Sequence, residues 1–214
     1  MFNRSVLIVL VVALAAGLGL VASQQWFGRE SAPAPELAAV RLFPQPRELP
    51  PFALQQSDGT QLVPGELHGH WTLVFLGFTH CPDVCPTTLA DLSRAQKEWE
   101  PLPEAQRPRV LFVSVDPERD SPDRIGEYAA FFHRDTLAAT ADIPALEDFA
   151  RSLSLVFMKA PGPEGAPADA YTIDHSAALA VLDPEGRMAG VVQGPLDPAA
   201  IAADLIALTG APAR

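Results

Sequence analysis

The chain has 214 residues, of which 48% are hydrophobic and 19% are charged, and its formal net charge is −11 at pH 7. This length fits one folded domain with a short additional segment, because domains commonly contain about 100 to 200 residues. The acidic balance argues against binding to nucleic acid or to anionic lipid surfaces, since both repel a negatively charged protein.

The N-terminal segment is long and apolar. Residues 6–22 are apolar without interruption, and a helix of this length spans roughly 26 Å, near the thickness of the hydrocarbon core of a bilayer. Arg4 precedes this run and the next basic residue is Arg29, which favours a cytoplasmic N-terminus. We predict a single transmembrane helix over residues 1–23, which holds the rest of the chain at the inner (cytoplasmic) membrane, facing the periplasm or extracytoplasmic side. A cleaved signal peptide is the alternative, and it would export the domain as well.

A linker and a folded domain are predicted after this helix. Residues 24–45 show no sustained period and contain the Pro-Ala alternation of a semi-stiff spacer, so we assign them to a linker and residues 46–214 to the domain. The first element of the domain is a hairpin over residues 52–63, because its central Asp58-Gly59 suits a turn that needs positive φ.

Strands and helices then alternate. Two continuous apolar runs, residues 71–77 and 109–115, are typical of strands that are buried on both faces. Between them, an amphipathic helix is predicted after Pro86. Its predicted buried face consists of Leu89, Leu92, Ala95 and Trp99. This alternation implies a parallel βαβ crossover.

Two more helices are predicted further along the chain. The first starts at Ser121 and Pro122, a pair typical of an N-cap followed by the first helical residue, and the second starts near Pro144. The predicted buried residues are Ile125, Tyr128, Phe131 and Phe132 on the first, and Leu146, Phe149, Ala150 and Leu153 on the second.

The C-terminal part is predicted to complete the sheet. A short strand is expected over residues 155–159, and residues 160–173 have no period, which predicts a long exposed loop. Residues 177–183 and 187–193 flank a Pro-Glu-Gly turn and predict an antiparallel hairpin. A last helix is predicted after Asp197. This order of elements is the thioredoxin arrangement, so we predict an α/β thioredoxin-like fold with a central mixed sheet flanked by helices.

The two cysteines of the chain, Cys81 and Cys85, lie between the first buried strand and the next helix. A bridge between them would close too short a loop to remove much entropy from the unfolded chain, which favours a chemical role over a structural one. The N-terminus of a helix favours thiolates. Residues i and i+4 lie on one face of a helical turn, about 5 to 6 Å apart, so the two sulfurs can share one metal ion or form a disulfide.

A third residue is needed to distinguish metal binding from redox chemistry. Among the five histidines, His175 precedes the predicted hairpin, and in a thioredoxin-like sheet this turn lies beside the loop that carries the cysteines. Two thiolates and one imidazole suit copper(I), a soft ion that accepts few ligands, and can hold copper(II) if another ligand joins. They suit zinc less well, because a structural zinc site needs four ligands.

Four further polar residues lie near these candidates in the sequence or in the predicted fold. Asp116 follows the second buried strand and Asp174 precedes the candidate histidine, and either could orient the site through hydrogen bonds. Capping of the following loop explains Asp116 equally well. Asp83 is expected to face water, and His80 is left out of the site because adjacent residues on an ordered turn point apart.

Three sequence blocks together resemble the Sco/SenC family of copper-handling proteins. They are residues 75–86 (FLGFTHCPDVCP), 114–122 (SVDPERDSP) and 171–176 (YTIDHS). The resemblance runs over nearly the whole domain, and the combination of blocks is far more specific than a CxxxC motif alone.

The resemblance implies a thioredoxin-like copper-binding protein with the ligands Cys81, Cys85 and His175 and a copper ion as its metal. It implies a metallochaperone that delivers copper to the binuclear copper site of cytochrome c oxidase. The expected partners are the copper-site subunit of the oxidase, other copper carriers or thiol reductants, and the membrane through the N-terminal helix, with no nucleic acid.

A thiol-disulfide oxidoreductase acting on exported proteins is the alternative, with Cys81 and Cys85 as the catalytic pair. The three-residue spacer and the segment around His175, where thioredoxins have a cis-proline, argue against a general redox enzyme. Peroxide reduction is disfavoured because the expected Arg-supported pocket is not apparent. The chaperone and reductase functions can coexist.

Overall fold

A computed structural model of the protein describes residues 3–27, 36–162, 165, 167 and 170–210. The chain divides into two compact units, residues 1–34 and residues 35–214. The first unit contains helix α1, Arg4–Phe27. Within the described residues, no helix meets the combined length and apolarity required to cross a membrane. The transmembrane helix predicted over residues 1–23 is therefore not confirmed.

The second unit is a mixed α/β domain. Its described strands are β1 (Val40–Arg47), β2 (Leu54–Gln56), β3 (Gln61–Leu62), β4 (Thr72–Gly77), β5 (Arg109–Ser114), β6 (Thr136–Thr140), β7 (Phe157–Ala160), β8 (Thr172–His175), β9 (Leu179–Leu182) and β10 (Met188–Val192). Its described helices are α2 (Val84–Trp99), α3 (Pro122–Phe132), α4 (Ile143–Ser152) and α5 (Pro198–Gly210).

Eight of these strands form one sheet in the order β1-β10-β9-β4-β5-β6-β2-β3. Strands β4, β5 and β6 run parallel, and the other neighbours are antiparallel. Every residue of β4 is buried, because this strand lies between β9 and β5 near the middle of the sheet. The prediction of a central mixed sheet with a parallel β4–α2–β5 unit is confirmed.

The predicted hairpins and helix faces also agree with the structure. Strands β2 and β3 pair around Gly59, whose φ is +85°, and β9 pairs with β10 around Gly186, whose φ is +76°. The buried face of α2 includes the four residues expected there. Ser121 caps α3 by accepting a hydrogen bond from the Arg124 N–H.

Several features of the structure differ from the sequence predictions. Phe131 was predicted to be buried, but 84% of it is exposed, since α3 turns Ile125 and Ala129 inward instead. Strand β6 has the sequence TLAAT, which lacks the apolar run by which the neighbouring strands were recognised. Strand β1 falls largely within the predicted linker, and two prolines hide it in the sequence; proline is tolerated there because β1 is an edge strand.

A second, two-stranded sheet is formed by β7 and β8, with Phe157 opposite His175. The sequence predicted the first of these strands but placed residues 160–173 in a loop. Thr172 and Ile173 belong to β8 instead. Part of the predicted loop (residues 163, 164, 166, 168 and 169) and part of the predicted linker (residues 28–35) lie outside the described residues.

Candidate metal and thiol site

The cysteine loop connects the end of the central strand β4 to the start of helix α2. Cys81 lies in this loop, where its N–H donates to the Phe78 carbonyl over 3.2 Å. Cys85 lies in the first turn of α2, and its N–H donates to the Cys81 Sγ over 3.3 Å. A backbone N–H at a helix N-terminus stabilises a thiolate. The Cys81 sulfur therefore accepts a backbone hydrogen bond at the start of α2.

The two cysteines differ in their environments. Both are free thiols, but Cys81 is partly exposed whereas Cys85 is buried. Burial raises the pKa of the Cys85 thiol, an effect only partly opposed by a hydrogen bond from the Phe78 backbone. In the metal-free protein Cys85 is therefore a neutral thiol, and Cys81 is the sulfur that solvent and partners can reach.

His175 meets the cysteines at the end of β8. Its Nε2 lies 3.4 Å from the Cys85 Sγ, and its Nδ1 lies 3.1 Å from the Ser176 carbonyl oxygen. Because a carbonyl only accepts, the Nδ1 carries the proton, and the lone pair of Nε2 points toward the sulfur. Burial lowers the pKa of the imidazole, with the Ser176 hydrogen bond and the Asp174 charge opposing this shift.

Aromatic rings hold the imidazole in this position. The Phe75 and Phe78 rings contact it edge-to-face, with centroid distances of 5.8 and 6.1 Å. One ring belongs to β4 and the other to the cysteine loop, so the central strand that leads to the cysteines also packs against the histidine.

The arrangement is suited to a single soft cation. One ligand atom each from Cys81, Cys85 and His175 lies within 4.8 Å of the other two. Metal–sulfur and metal–nitrogen bonds of about 2.0 to 2.3 Å allow three atoms at this spacing to close on one ion with small movements. Loss of the Cys85 proton on binding would supply the second thiolate.

Gly77, the last residue of β4, is required by this packing. A β-carbon at this position would lie 2.9 Å from the Cys85 Sγ and 2.8 Å from the Phe112 ring. Such distances are too short for real contacts, so any larger residue would displace the sulfur or the ring.

The four polar residues considered beside the candidate ligands differ in burial and in their contacts. Asp83 is exposed, as expected, and Asp174 is exposed too. Asp116 is buried and bonds to Arg119 and Tyr171 instead of to a ligand side chain. His80 is exposed and lies beside Arg124, which leaves it outside the group of three.

One buried carboxylate beside the site was missed by the sequence reasoning. Asp120 accepts hydrogen bonds from the Thr79 N–H over 2.9 Å and from the Ser114 hydroxyl over 2.6 Å, and it is 1% exposed. It ties the cysteine loop to the end of β5. Its place in the block 114–122 was the only sequence signal, because an acidic residue in a loop is normally solvated.

A second cluster of potential ligands, formed by Glu100, His133 and Asp135, is explained by hydrogen bonding. The His133 Nδ1 accepts from the Asp135 N–H over 3.2 Å, and its Nε2 lies 3.3 Å from a Glu100 carboxylate oxygen. With both ring nitrogens engaged in this way, His133 stabilises the fold around it.

The fold and site together define a thioredoxin-like protein with two thiols and one imidazole at the end of its central strand. The sequence model of the SCO1/SenC family matches residues 43–210. The chain belongs to the SCO1/SenC family, as the three sequence blocks predicted.

Relatives and solved structures agree with this assignment. A protein of Stutzerimonas stutzeri whose name describes it as copper-binding is 30% identical over 159 residues, which cover 74% of this chain and 76% of that protein. The human mitochondrial SCO1 homolog is 29% identical over 178 residues, or 83% of this chain and 58% of its own length. The crystal structure of Arabidopsis thaliana ScoI with copper bound gives a TM-score of 0.66 at 29% identity, covering 74% of this chain and 96% of that one.

Proposed function

We propose that the protein is a copper-binding metallochaperone that delivers copper to the binuclear copper site of cytochrome c oxidase during assembly. The observation that carries this proposal is the convergence of the Cys81, Cys85 and His175 ligand atoms within 4.8 Å of one another. The copper-binding name of the Stutzerimonas relative and the copper-bound Arabidopsis structure support the choice of metal. The role in oxidase assembly comes from the family resemblance. The chain spans little more than half the length of the human relative.

The donor set suits a cargo that must be released. Soft thiolates select copper(I) among the common biological metals, and an imidazole accepts it readily. Cys81 is partly exposed, so an incoming thiolate of a partner can approach the metal from this side. Transfer then proceeds by ligand exchange, in which a partner's sulfur replaces one donor at a time.

The experiment is a copper titration of the reduced full-length chain, followed by thiolate-to-copper charge-transfer absorption and by EPR of the copper(II) form. We expect one equivalent to bind, and we expect the charge-transfer band to vanish in Cys81→Ser and Cys85→Ser. Copper affinity unchanged by His175→Ala would contradict the three-ligand site.

We also propose that α1 holds the domain at the cytoplasmic membrane, on the extracytoplasmic side. The uninterrupted apolar run at residues 6–22 and the position of Arg4 before it support this location. Alkaline carbonate extraction of cell membranes tests it. The full chain should stay in the membrane pellet and its intact mass should include α1, whereas a chain lacking α1 would point to a cleaved signal peptide.

Thiol-disulfide exchange is a second candidate function, and the unequal environments of the two cysteines favour it specifically. The exposed Cys81 thiolate would attack a partner disulfide, forming a mixed disulfide and releasing one partner thiolate. Cys85, after losing its proton, would attack the Cys81 sulfur, leaving a Cys81–Cys85 disulfide and the reduced partner. Measuring the reduction potential of the pair and its turnover on a disulfide substrate separates this activity from copper delivery.

A further inference from the structure

The two segments that carry the candidate ligands are distant in sequence, yet both contact the short loop that follows β5. This loop, residues 116–120, begins beside the end of β4, where the Val115 N–H donates to the Gly77 carbonyl over 2.9 Å. On the cysteine side, Asp120 accepts hydrogen bonds from Thr79, two residues before Cys81.

The histidine side is held by Asp116 and Arg119. The Tyr171 hydroxyl donates to the Asp116 Oδ1 over 2.6 Å. Arg119 donates from Nε to the Asp116 Oδ2 over 2.5 Å and from a guanidinium nitrogen to the Tyr171 carbonyl over 3.1 Å. Both the side chain and the backbone of Tyr171 are thus fixed to the loop. We refer to Asp116, Arg119 and Tyr171 as the clamp.

Two cations also lie close to the Tyr171 ring. The Arg119 guanidinium carbon and the Lys159 Nζ each lie 3.7 Å from the ring centroid. At this distance each cation makes a favourable cation–π contact that helps to hold the ring in place. Two residues further along, the Ile173 side chain is buried, and His175 follows at the end of the same strand.

Arg119 joins the two ligand segments directly. Its guanidinium group also lies 5.8 Å from the Phe78 ring centroid. Phe78 belongs to the cysteine loop, accepts the Cys81 N–H at its carbonyl, and packs against the imidazole. The contacts of the clamp therefore reach both sides of the site, through Tyr171 on the segment that leads to His175 and through the Phe78 ring on the cysteine loop.

We propose that Asp116, Arg119 and Tyr171 are positioning residues that fix His175 against the two sulfurs and so determine the affinity and ligand field of the metal. This proposal rests on the proposed function, because it assumes that His175 is a ligand. The physical reason is preorganisation. A strand free to move would lose more conformational freedom when its histidine binds the metal, and altered partners outside the ligand set typically change metal affinity by about 10- to 100-fold.

The test compares Tyr171→Phe and Asp116→Asn with Asp183→Asn in the full chain. Asp183 is a matched control because it is also a buried carboxylate paired with an arginine, Arg187, but it follows β9 at the opposite end of the sheet. For each variant, copper(II) affinity, the charge-transfer spectrum, EPR and the thermal unfolding midpoint are measured.

We expect Tyr171→Phe and Asp116→Asn to weaken copper binding about tenfold and to alter the EPR signal. Asp183→Asn should lower the unfolding midpoint while leaving the copper affinity and spectra of the parent unchanged. Tyr171→Ala should have a larger effect than Tyr171→Phe, since only the phenylalanine keeps a ring in contact with the two cations.

Parental affinity and spectra in both clamp variants would overturn the proposal, as would equal spectral changes in Asp183→Asn, which would indicate a general loss of stability. If Asp116→Asn does not fold, Tyr171→Phe decides alone, because it removes a single hydroxyl. Absence of stoichiometric copper binding by the parent chain would overturn the proposed function itself, a result distinct from failure of the clamp.

Discussion

The cysteine side and the histidine side of the site are built from structures of different kinds. The cysteines follow β4, a strand whose residues are all buried between two neighbours in the eight-stranded sheet. His175 ends β8, which pairs with β7 in a separate two-stranded sheet, and most residues of these two strands are partly or fully exposed. Strands with few buried contacts open at lower free energy than core strands. Two of the candidate ligands thus follow a core strand, whereas the third lies in a small sheet whose strands are mostly exposed.

This difference suits a protein that must hold a metal and then release it. A third ligand on a weakly protected strand can leave the metal without unfolding the domain. In the proposed transfer, the sulfurs would keep the metal in place until a partner's ligand arrives. Substitutions on the cysteine side and on the histidine side of the site should therefore have unequal effects.

Replacing either sulfur should harm copper binding far more than replacing the imidazole. We expect Cys81→Ser and Cys85→Ser to abolish stoichiometric binding, because a hydroxyl is a poor ligand for a soft cation. His175→Ala should lower the affinity on the order of 100-fold, equivalent to about 2.8 kcal/mol. Competition with a copper chelator of known affinity measures both. Equal losses at all three positions would remove the distinction between core and peripheral ligands.

Gly77→Ala should disturb the cysteine side through packing alone. The added methyl group would crowd the Cys85 sulfur and the Phe112 ring, and overpacking of a core typically costs about 1 to 3 kcal/mol. Urea unfolding and copper titration should both report the change. Gly65→Ala is the control, since a β-carbon there meets no atom within 4 Å; similar effects at both positions would argue against steric crowding at the site.

Alkylation should distinguish the two sulfurs of the metal-free protein. The thiolate is the reactive form, and burial raises the pKa of Cys85, so less of this residue is ionised at pH 8. Cys81 in Cys85→Ser should react with iodoacetamide at least about tenfold faster than Cys85 in Cys81→Ser. In urea the two rates should converge. Equal rates in the folded variants would contradict the proposed asymmetry.

The smallest effect is expected on the exposed side of β7. Met158 is 66% exposed, so Met158→Ala should change the free energy of unfolding by less than about 0.5 kcal/mol. The contrasting variant is Leu76→Ala in β4, where 1% of the side chain is exposed and a loss of about 2 to 5 kcal/mol is expected. Thermal unfolding of the two variants tests whether a side chain of the two-stranded sheet contributes less to stability than one of the eight-stranded sheet.

The elements with strong local patterns could be predicted from the sequence, and those without could not. The apolar runs identified β4 and β5, and the Asp58-Gly59 turn identified the first hairpin. Strand β6 was not predicted because its small residues and threonines are typical of a loop. Strand β1 was not predicted because Pro44 and Pro46 are typical of a loop as well. Both are recognisable as strands only through their partners β5 and β10.

The candidate site could also be predicted from the sequence only in part. Cys81 and Cys85 stand out in the sequence by their rarity, their spacing and their position before a helix, and the family resemblance indicates His175. The predicted fold placed the turn of His175 beside the cysteine loop, but it did not show which contacts hold the histidine there. The strand that ends at His175 pairs with β7, and Tyr171 forms hydrogen bonds with Asp116 and Arg119. The hydrogen bonds join residues about 50 positions apart, so they leave no periodic pattern in the sequence.

The sequence by itself therefore determined the thioredoxin-like order of elements and the chemical identity of the donors, because hydrophobic periodicity and side-chain chemistry are local properties. Only the tertiary structure decided which sulfur is buried, which imidazole nitrogen faces it, and how Asp120 and the clamp connect the two ligand segments. Burial, tautomer and long-range hydrogen bonds depend on neighbours that folding brings together.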